Sequence, residues 1–149
     1  MKISLTNMWA HIDKNTDLFG KMDPYVVISA QNECQRTSVI KKGGTKISWT
    51  DTVLLNVMLE ETISFKIYDK DTFFDDFVGE IKLPVSELVA GPSTMHFSNK
   101  KNSGLFGVTI TPIETACFPS SACGQQEKGS LIQKIKNPYR TWNAFLGGR

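Results

Sequence analysis

Cysteine and histidine are scarce in this sequence, with three Cys and two His in 149 residues. Cys34, Cys117 and Cys123 are odd in number and lack metal-ligand spacing, and His11 and His96 stand far from them in the chain. That argues against a zinc site. Long apolar runs are missing, the opening Met-Lys-Ile-Ser-Leu-Thr-Asn has no signal-peptide pattern, and no Asn-x-Ser/Thr sequon occurs. The expected setting is therefore a reducing cytoplasm with no membrane-spanning helix. A dense Lys/Arg stripe is also lacking, which removes the usual electrostatic footprint of a nucleic-acid binder. Neither a nucleophile–base arrangement nor a phosphate-cradling glycine loop is present, so no enzymatic activity and no small-molecule substrate are expected.

What is present is an ordinary globular composition, 40% apolar and 21% charged, on a chain long enough for one core with a modest extension. Charge is distributed unevenly. Residues 1–113 carry 12 basic and 13 acidic side chains, whereas residues 114–149 carry 5 basic and 2 acidic. A near-neutral domain over 1–113 followed by a basic tail over 114–149 is the expected organisation. The tail starts with the small and turn residues of Cys117–Gly124, and Pro138 interrupts its one short helical pattern. It also mixes Lys134, Lys136 and Arg140 with Tyr139, Trp142 and Phe145, a composition suited to a membrane interface or a protein partner.

A period of two recurs through the first 113 residues, in Ile3/Leu5, Tyr25–Ala30, Val53/Leu55/Val57, Ile63/Phe65/Ile67, Val78/Ile81/Leu83, Met95/Phe97 and Phe106/Val108/Ile110. Alternation of this kind marks half-buried strands. The turn-rich stretches between them favour an antiparallel sandwich over alternating strand–helix units. With Cys34–Ile40 added, the pattern predicts eight strands in an all-β Greek-key sandwich, with at most one helical turn near Ser86–Val89.

Two segments concentrate acidic side chains: Asp17 to Tyr25, and Tyr68 to Glu80, the latter containing Asp69, Asp71, Asp75 and Asp76. Both lie at the ends of strand patterns. Two carboxylates ~4–5 Å apart repel by roughly 3–4 kcal/mol at an effective dielectric constant of about 20, so acids converging on one spot call for a counterion. Calcium suits such a spot, because it accepts six to eight oxygens in flexible geometry. Asp69, Asp71, Asp75 and Glu80 also fall on positions 1, 3, 7 and 12 of an EF-hand loop, but Phe74 occupies the position where that loop turns on glycine, and the flank alternates as a strand.

The runs Gly20-Lys-Met-Asp23-Pro-Tyr25-Val, Trp49-Thr-Asp-Thr-Val, Tyr68-Asp69-Lys-Asp71 and Asp76-Phe-Val-Gly79-Glu80 resemble the C2 domain family of calcium- and lipid-binding β-sandwiches. The resemblance covers about residues 2–112 and implies the second of the family's two circularly permuted topologies. It implies Asp17, Asp23, Asp69, Asp71 and either Asp75 or Asp76 as side-chain calcium ligands, with backbone carbonyls near Leu18 and Lys70. Two departures from the family pattern stand out: the second acidic loop is one residue short, and Lys46-Ile47 replaces the usual Asn-Pro before Trp49. Phe19, Phe73 and Phe74 fall at the loop tips and are the expected membrane contacts. Arg36, Lys41, Lys42 and Lys46 form a basic run that either binds headgroups or is a solvated turn. The function implied is calcium-dependent, reversible attachment to anionic phospholipid membranes, with a calcium-independent protein adaptor as the alternative.

Overall fold

The computed structural model describes residues 1–17 and 20–114. Among these residues nine strands and one short 3-10 turn follow in the order β1 (Lys2–Ile12), β2 (Pro24–Ala30), β3 (Glu33–Arg36), β4 (Lys46–Trp49), β5 (Val53–Asn56), β6 (Thr62–Asp69), β7 (Asp76–Pro84), the turn (Val85–Glu87), β8 (Gly91–Ser98) and β9 (Ser103–Ile113). One antiparallel sheet runs β4-β1-β9-β8 with β5 also paired to β1, and the other runs β3-β2-β6-β7. The chain therefore crosses between the sheets after β1, β3, β5 and β7, and its first and last strands lie side by side.

The strand beyond the eight expected is β4. Its alternation rests on only two apolar residues, Ile47 and Trp49, too short a pattern to register as a strand in the sequence. In space β4 and β5 line successive stretches of one partner, Met8–His11 and Lys2–Leu5 of β1, so they occupy a single lane of the sheet. The strand expected over Cys34–Ile40 is instead the shorter Glu33–Arg36. Beyond it the Thr37 amide still donates to the Val26 carbonyl at 2.9 Å, but the Val26 amide donates to the Thr37 side chain.

Alternating inward residues fill the space between the sheets. On β1 the inward set changes parity, from Ile3 and Leu5 to Met8, Ala10 and Ile12. A register shift between Thr6 and Trp9, with Asn7 in the left-handed region at φ 48°, absorbs the extra residue. Trp49 is 1% exposed, and its indole donates to the Pro24 carbonyl at 3.4 Å, tying one sheet to the other. At one open edge, Glu33 accepts from the backbone and side-chain amides of Asn56, and the Gln35 side chain donates to the Leu54 carbonyl.

The end of the sandwich that matters for function is fixed by strand register. Pro24 at the start of β2 faces Asp69 at the end of β6, and Asp69 faces Asp76 at the start of β7. The loops 13–23 and 70–75 therefore share one rim. Segment 37–45 joins them through Ile40 N–H to Pro24 O at 3.0 Å, Gly44 N–H to Met22 O at 3.1 Å and Ile12 N–H to Thr45 O at 2.8 Å.

Gly79 shows how closely the layers meet. A methyl group there would collide with the Phe97 ring, and Phe97 is held from its other side by Gly104. Gly79→Ala is expected to lower stability by ~1–3 kcal/mol, since the ring has nowhere to move. Urea denaturation followed by far-UV circular dichroism checks this; an unchanged midpoint refutes it.

Candidate functional site

Asp69 is the last inward-facing residue of β6, following Ile63, Phe65 and Ile67. Strand alternation thus delivers a carboxylate, rather than another aliphatic side chain, to the mouth between the sheets. It is 1% exposed. Burial at that level is tolerable only with hydrogen bonds, and both oxygens have them. Thr16 Oγ1 donates to Oδ2 at 2.7 Å, and the Asp23 amide donates to Oδ1 at 2.7 Å. The Lys70 amide returns to the Asp23 carbonyl at 3.0 Å. One buried carboxylate thereby joins the two acidic loops.

The other acids surround it. In the first loop the Asn15 carboxamide oxygen accepts the Asp17 amide at 3.0 Å, and its Nδ2 donates to Gly20 O at 2.7 Å, shaping the turn that carries Asp17. Desolvation, then the charges of Asp69, Asp71, Asp23 and Asp76, push the Asp17 carboxyl above its ordinary value. Asp71 is raised in the same way, by desolvation and then by Asp69, Asp76, Asp75 and Asp23. These mutual shifts are the electrostatic signature of acids converging on one place.

Asp23 behaves oppositely. The Lys42 amide donates to its Oδ1 at 2.6 Å and the Lys41 ammonium to its Oδ2 at 3.1 Å, holding its carboxyl below the usual range. Lys42 takes φ 54° to present that amide. Asp17, Lys21, Asp23, Lys41, Lys42, Lys70 and Asp71 line an open concavity of about 1100 Å³.

Asp75 and Asp76, adjacent in sequence, are separated in role. Asp75 accepts from Tyr25 Oη at 2.5 Å, from Lys70 Nζ at 3.0 Å and from the Asp71 amide at 3.2 Å. The Tyr25 and Lys70 hydrogen bonds lower its carboxyl, while desolvation and the Asp75 hydrogen bond push the Tyr25 hydroxyl up to about 12. Asp76 starts β7, is exposed, and stands across from Asp69.

The basic run is divided. Lys41 and Lys42 belong to the acidic rim, Arg36 lies 5.9 Å over the Tyr25 ring, and Lys46 is exposed on β4 opposite His11. Phe73 and Phe74 are 88% and 86% exposed at the tip of loop 70–75. Leu18, Phe19 and the tail from 115 to 149 lie outside the described residues. Thr16 and Tyr25 were not legible as site residues, because each acts through a distant partner that the fold supplies, whereas Asn15 acts within its own loop on Asp17 and Gly20, a local turn signal that the sequence did carry.

Hard oxygen donors on two facing loops fit a calcium ion in kind. As placed, though, no group of three or more acidic, His or Cys side chains among the described residues stands ready to hold one. The reason is visible in the partners: Asp23 is turned to Lys41 and Lys42, Asp69 to Thr16 and Asp23, and Asp75 to Tyr25. Of these contacts, the one between Lys41 and Asp23 is an ion pair. Both partners of that ion pair are solvent-accessible, 73% and 23%, so the contact is worth only ~0.2–1 kcal/mol.

The shifts predict a titration order in cation-free protein. Asp17 and Asp71 bind protons more readily folded than unfolded, so protonating them favours the fold as pH falls through their raised values. Asp23 and Asp75 contribute stability above the unfolded carboxylate range that is lost as pH falls through their lowered values. Carbon-detected NMR titration of the carboxyl groups is expected to show Asp17 and Asp71 above Asp23 and Asp75, and the reverse order overturns the assignment.

The sequence profile of the C2 domain matches residues 3–100. Among curated proteins, the chain is 35% identical over 83 residues to 16 kDa phloem protein 1 of Arabidopsis thaliana, covering 51% of this chain and 53% of that protein. It is 32% identical over 92 residues to an Arabidopsis thaliana calcium-dependent lipid-binding protein, covering 60% of this chain but 18% of that one. The chain thus spans about half the length of the first relative and under a fifth of the second. Among solved structures, a C2 domain of plant Extended Synaptotagmin 1 superposes with a TM-score of 0.63 at 17% identity, over 76% of this chain and 96% of that domain. From its two antiparallel sheets, its aspartate-bearing rim and the profile match together, this chain belongs to the C2 domain family.

Proposed function

We propose that this protein attaches reversibly to anionic phospholipid membranes in the cytoplasm when calcium is available, without catalysing a reaction. The observation carrying this reading is the rim itself: register brings the aspartate-bearing loops to one end of the sandwich, and the second of them carries two largely exposed phenylalanines at its tip. Asp17, Asp23, Asp69, Asp71 and Asp76 are the side chains that would hold calcium, with carbonyls of Leu18 and Lys70 from the same loops. Calcium there supplies the positive charge that turns repulsion from an acidic bilayer into attraction. Asp75, already engaged by three donors, is not in this set.

Phe73 and Phe74 then contribute the apolar half of the attachment. Burying each ring in the headgroup–acyl boundary is worth ~1.5–3 kcal/mol, and Phe19 in the facing loop extends the same contact. Lys41, once displaced from Asp23, joins Lys42 at the rim as a donor to lipid phosphate. Residues 114–149, with their basic and aromatic composition, contribute a further contact to membrane or to a protein partner. The calcium-dependent lipid-binding relative supports this reading by the activity its name states.

A second reading has one observation in its favour. Lys41 already supplies a cation to Asp23, as expected of an adaptor that works without calcium. Capture of a soluble partner with equal strength in calcium and in chelator would select it.

Co-sedimentation with phosphatidylserine-containing vesicles tests the proposal. Binding is expected in calcium and absent in chelator; equal binding in both sinks it. Asp71→Asn and Asp76→Asn are expected to abolish the calcium response while leaving the fold intact, whereas Asp69→Asn also costs ~1–3 kcal/mol of stability because the donors from Thr16 and the Asp23 amide lose part of their buried acceptor. Phe73→Ala and Phe74→Ala should each weaken vesicle partition by ~10- to 100-fold with calcium affinity unaltered. Lipid-free calorimetry should show Lys41→Gln binding calcium ~two- to fivefold more tightly, and Lys21→Gln, on the same concavity, distinctly less so.

A further inference from the structure

We infer that Tyr25 is a positioning residue for membrane insertion: through Asp75 it clamps loop 70–75 in the form that presents Phe73 and Phe74 to a lipid surface. The inference rests on the membrane reading above and adds to it a residue outside the ion-binding set.

The clamp is built from both sides. Tyr25 is 7% exposed, its ring lying beneath the Arg36 guanidinium at 5.9 Å and stacked on Tyr68 at 5.6 Å with an interplanar angle of 19°. Tyr68 in turn meets Phe77 edge-on at 5.7 Å. The four residues cross the outer face of one sheet from β3 through β2 and β6 to β7, so the Tyr25 hydroxyl is a fixed point on a rigid surface. A register shift between Ile67 and Tyr68 sets Phe77 beside Tyr68 in this row.

Asp75 reaches that fixed point from the far end of the loop. Its Oδ2 accepts from Tyr25 Oη at 2.5 Å, and its Oδ1 accepts from Lys70 Nζ at 3.0 Å and from the Asp71 amide at 3.2 Å. Those last two bonds tie the loop's end to its beginning. Residues 72–74 are left as a short arch whose two feet are joined, with Phe73 and Phe74 at its crown. A hydroxyl donor to a carboxylate gives a short, charge-assisted bond, stronger than one between neutral groups. Holding the arch before contact removes much of the ordering entropy that the membrane would otherwise have to offset. Asp75 therefore acts on lipid binding without touching either the ion or the lipid.

The test uses the full chain with Tyr25→Phe, which keeps the ring and its stacking and removes only the hydroxyl, and with Asp75→Asn as an independent second variant. In lipid-free protein, NMR amide exchange at Asp71 is expected to speed up severalfold in both variants, a change confined to loop 70–75. At saturating calcium, partition onto phosphatidylserine vesicles is expected to fall ~three- to tenfold for Tyr25→Phe. Adding Phe74→Ala to Tyr25→Phe should then cost less than Phe74→Ala alone, since both act through the same arch. Vesicle binding of Tyr25→Phe equal to wild type, or a loss of calcium affinity as large as that of Asp76→Asn, overturns the inference while leaving the membrane reading standing. Wild-type protein that ignores vesicles in calcium overturns both.

Discussion

A carboxylate buried where the sandwich opens holds this rim together. Asp69 occupies a position that strand alternation reserves for an inward side chain, and its two oxygens are satisfied by Thr16 and by the Asp23 amide. Leaving such a group unpaired costs several kcal/mol, so the loops that supply its donors are drawn onto the end of β6. Everything else at the rim follows from that arrangement. Asp23 arrives beside Asp69 because its amide is one of the donors, Asp76 arrives by cross-strand register, and Asp17 is carried in by the turn built on Asn15.

Acids gathered in this way raise an electrostatic problem that the protein meets in part with its own cations. The Lys42 amide and Lys41 relieve Asp23, and Tyr25 and Lys70 relieve Asp75, while desolvation and then the neighbouring charges leave Asp17 and Asp71 destabilised. The rim is thus divided into relieved and unrelieved carboxylates. On the function proposed above, a divalent cation would gain most from the second group and would compete with Lys41 for Asp23. Because the competing ammonium is exposed, that competition would be weak and would tune affinity rather than close the site.

Apolar and charged functions are kept apart by two residues that sequence places side by side. Asp76 stays with the acids on the ladder, and Asp75 leaves them for Tyr25 on the outer face of the sheet. Loop 70–75 therefore starts at Asp71 beside the other acids and ends at Asp75 on an aromatic surface, with Phe73 and Phe74 exposed between. On the proposed function, ion binding and lipid contact would be coupled by a few residues of chain and remain chemically separable.

Period-two apolar spacing was enough to determine an all-β sandwich, most of its strands and a single core, because burial selects one face of each strand regardless of its partners. The two aspartate runs were likewise legible as loops at strand ends. Tertiary structure alone decided the rest. Lys46–Trp49 became a strand only because β1 offered it a lane, and Asp75 parted from Asp76 only because Tyr25 lies across the sheet from it. Lys41 met Asp23 through a segment folded back from 18 residues away. A sequence records which side chains a segment carries; which of them become neighbours is set by register and sheet crossing, and those are properties of the assembled fold.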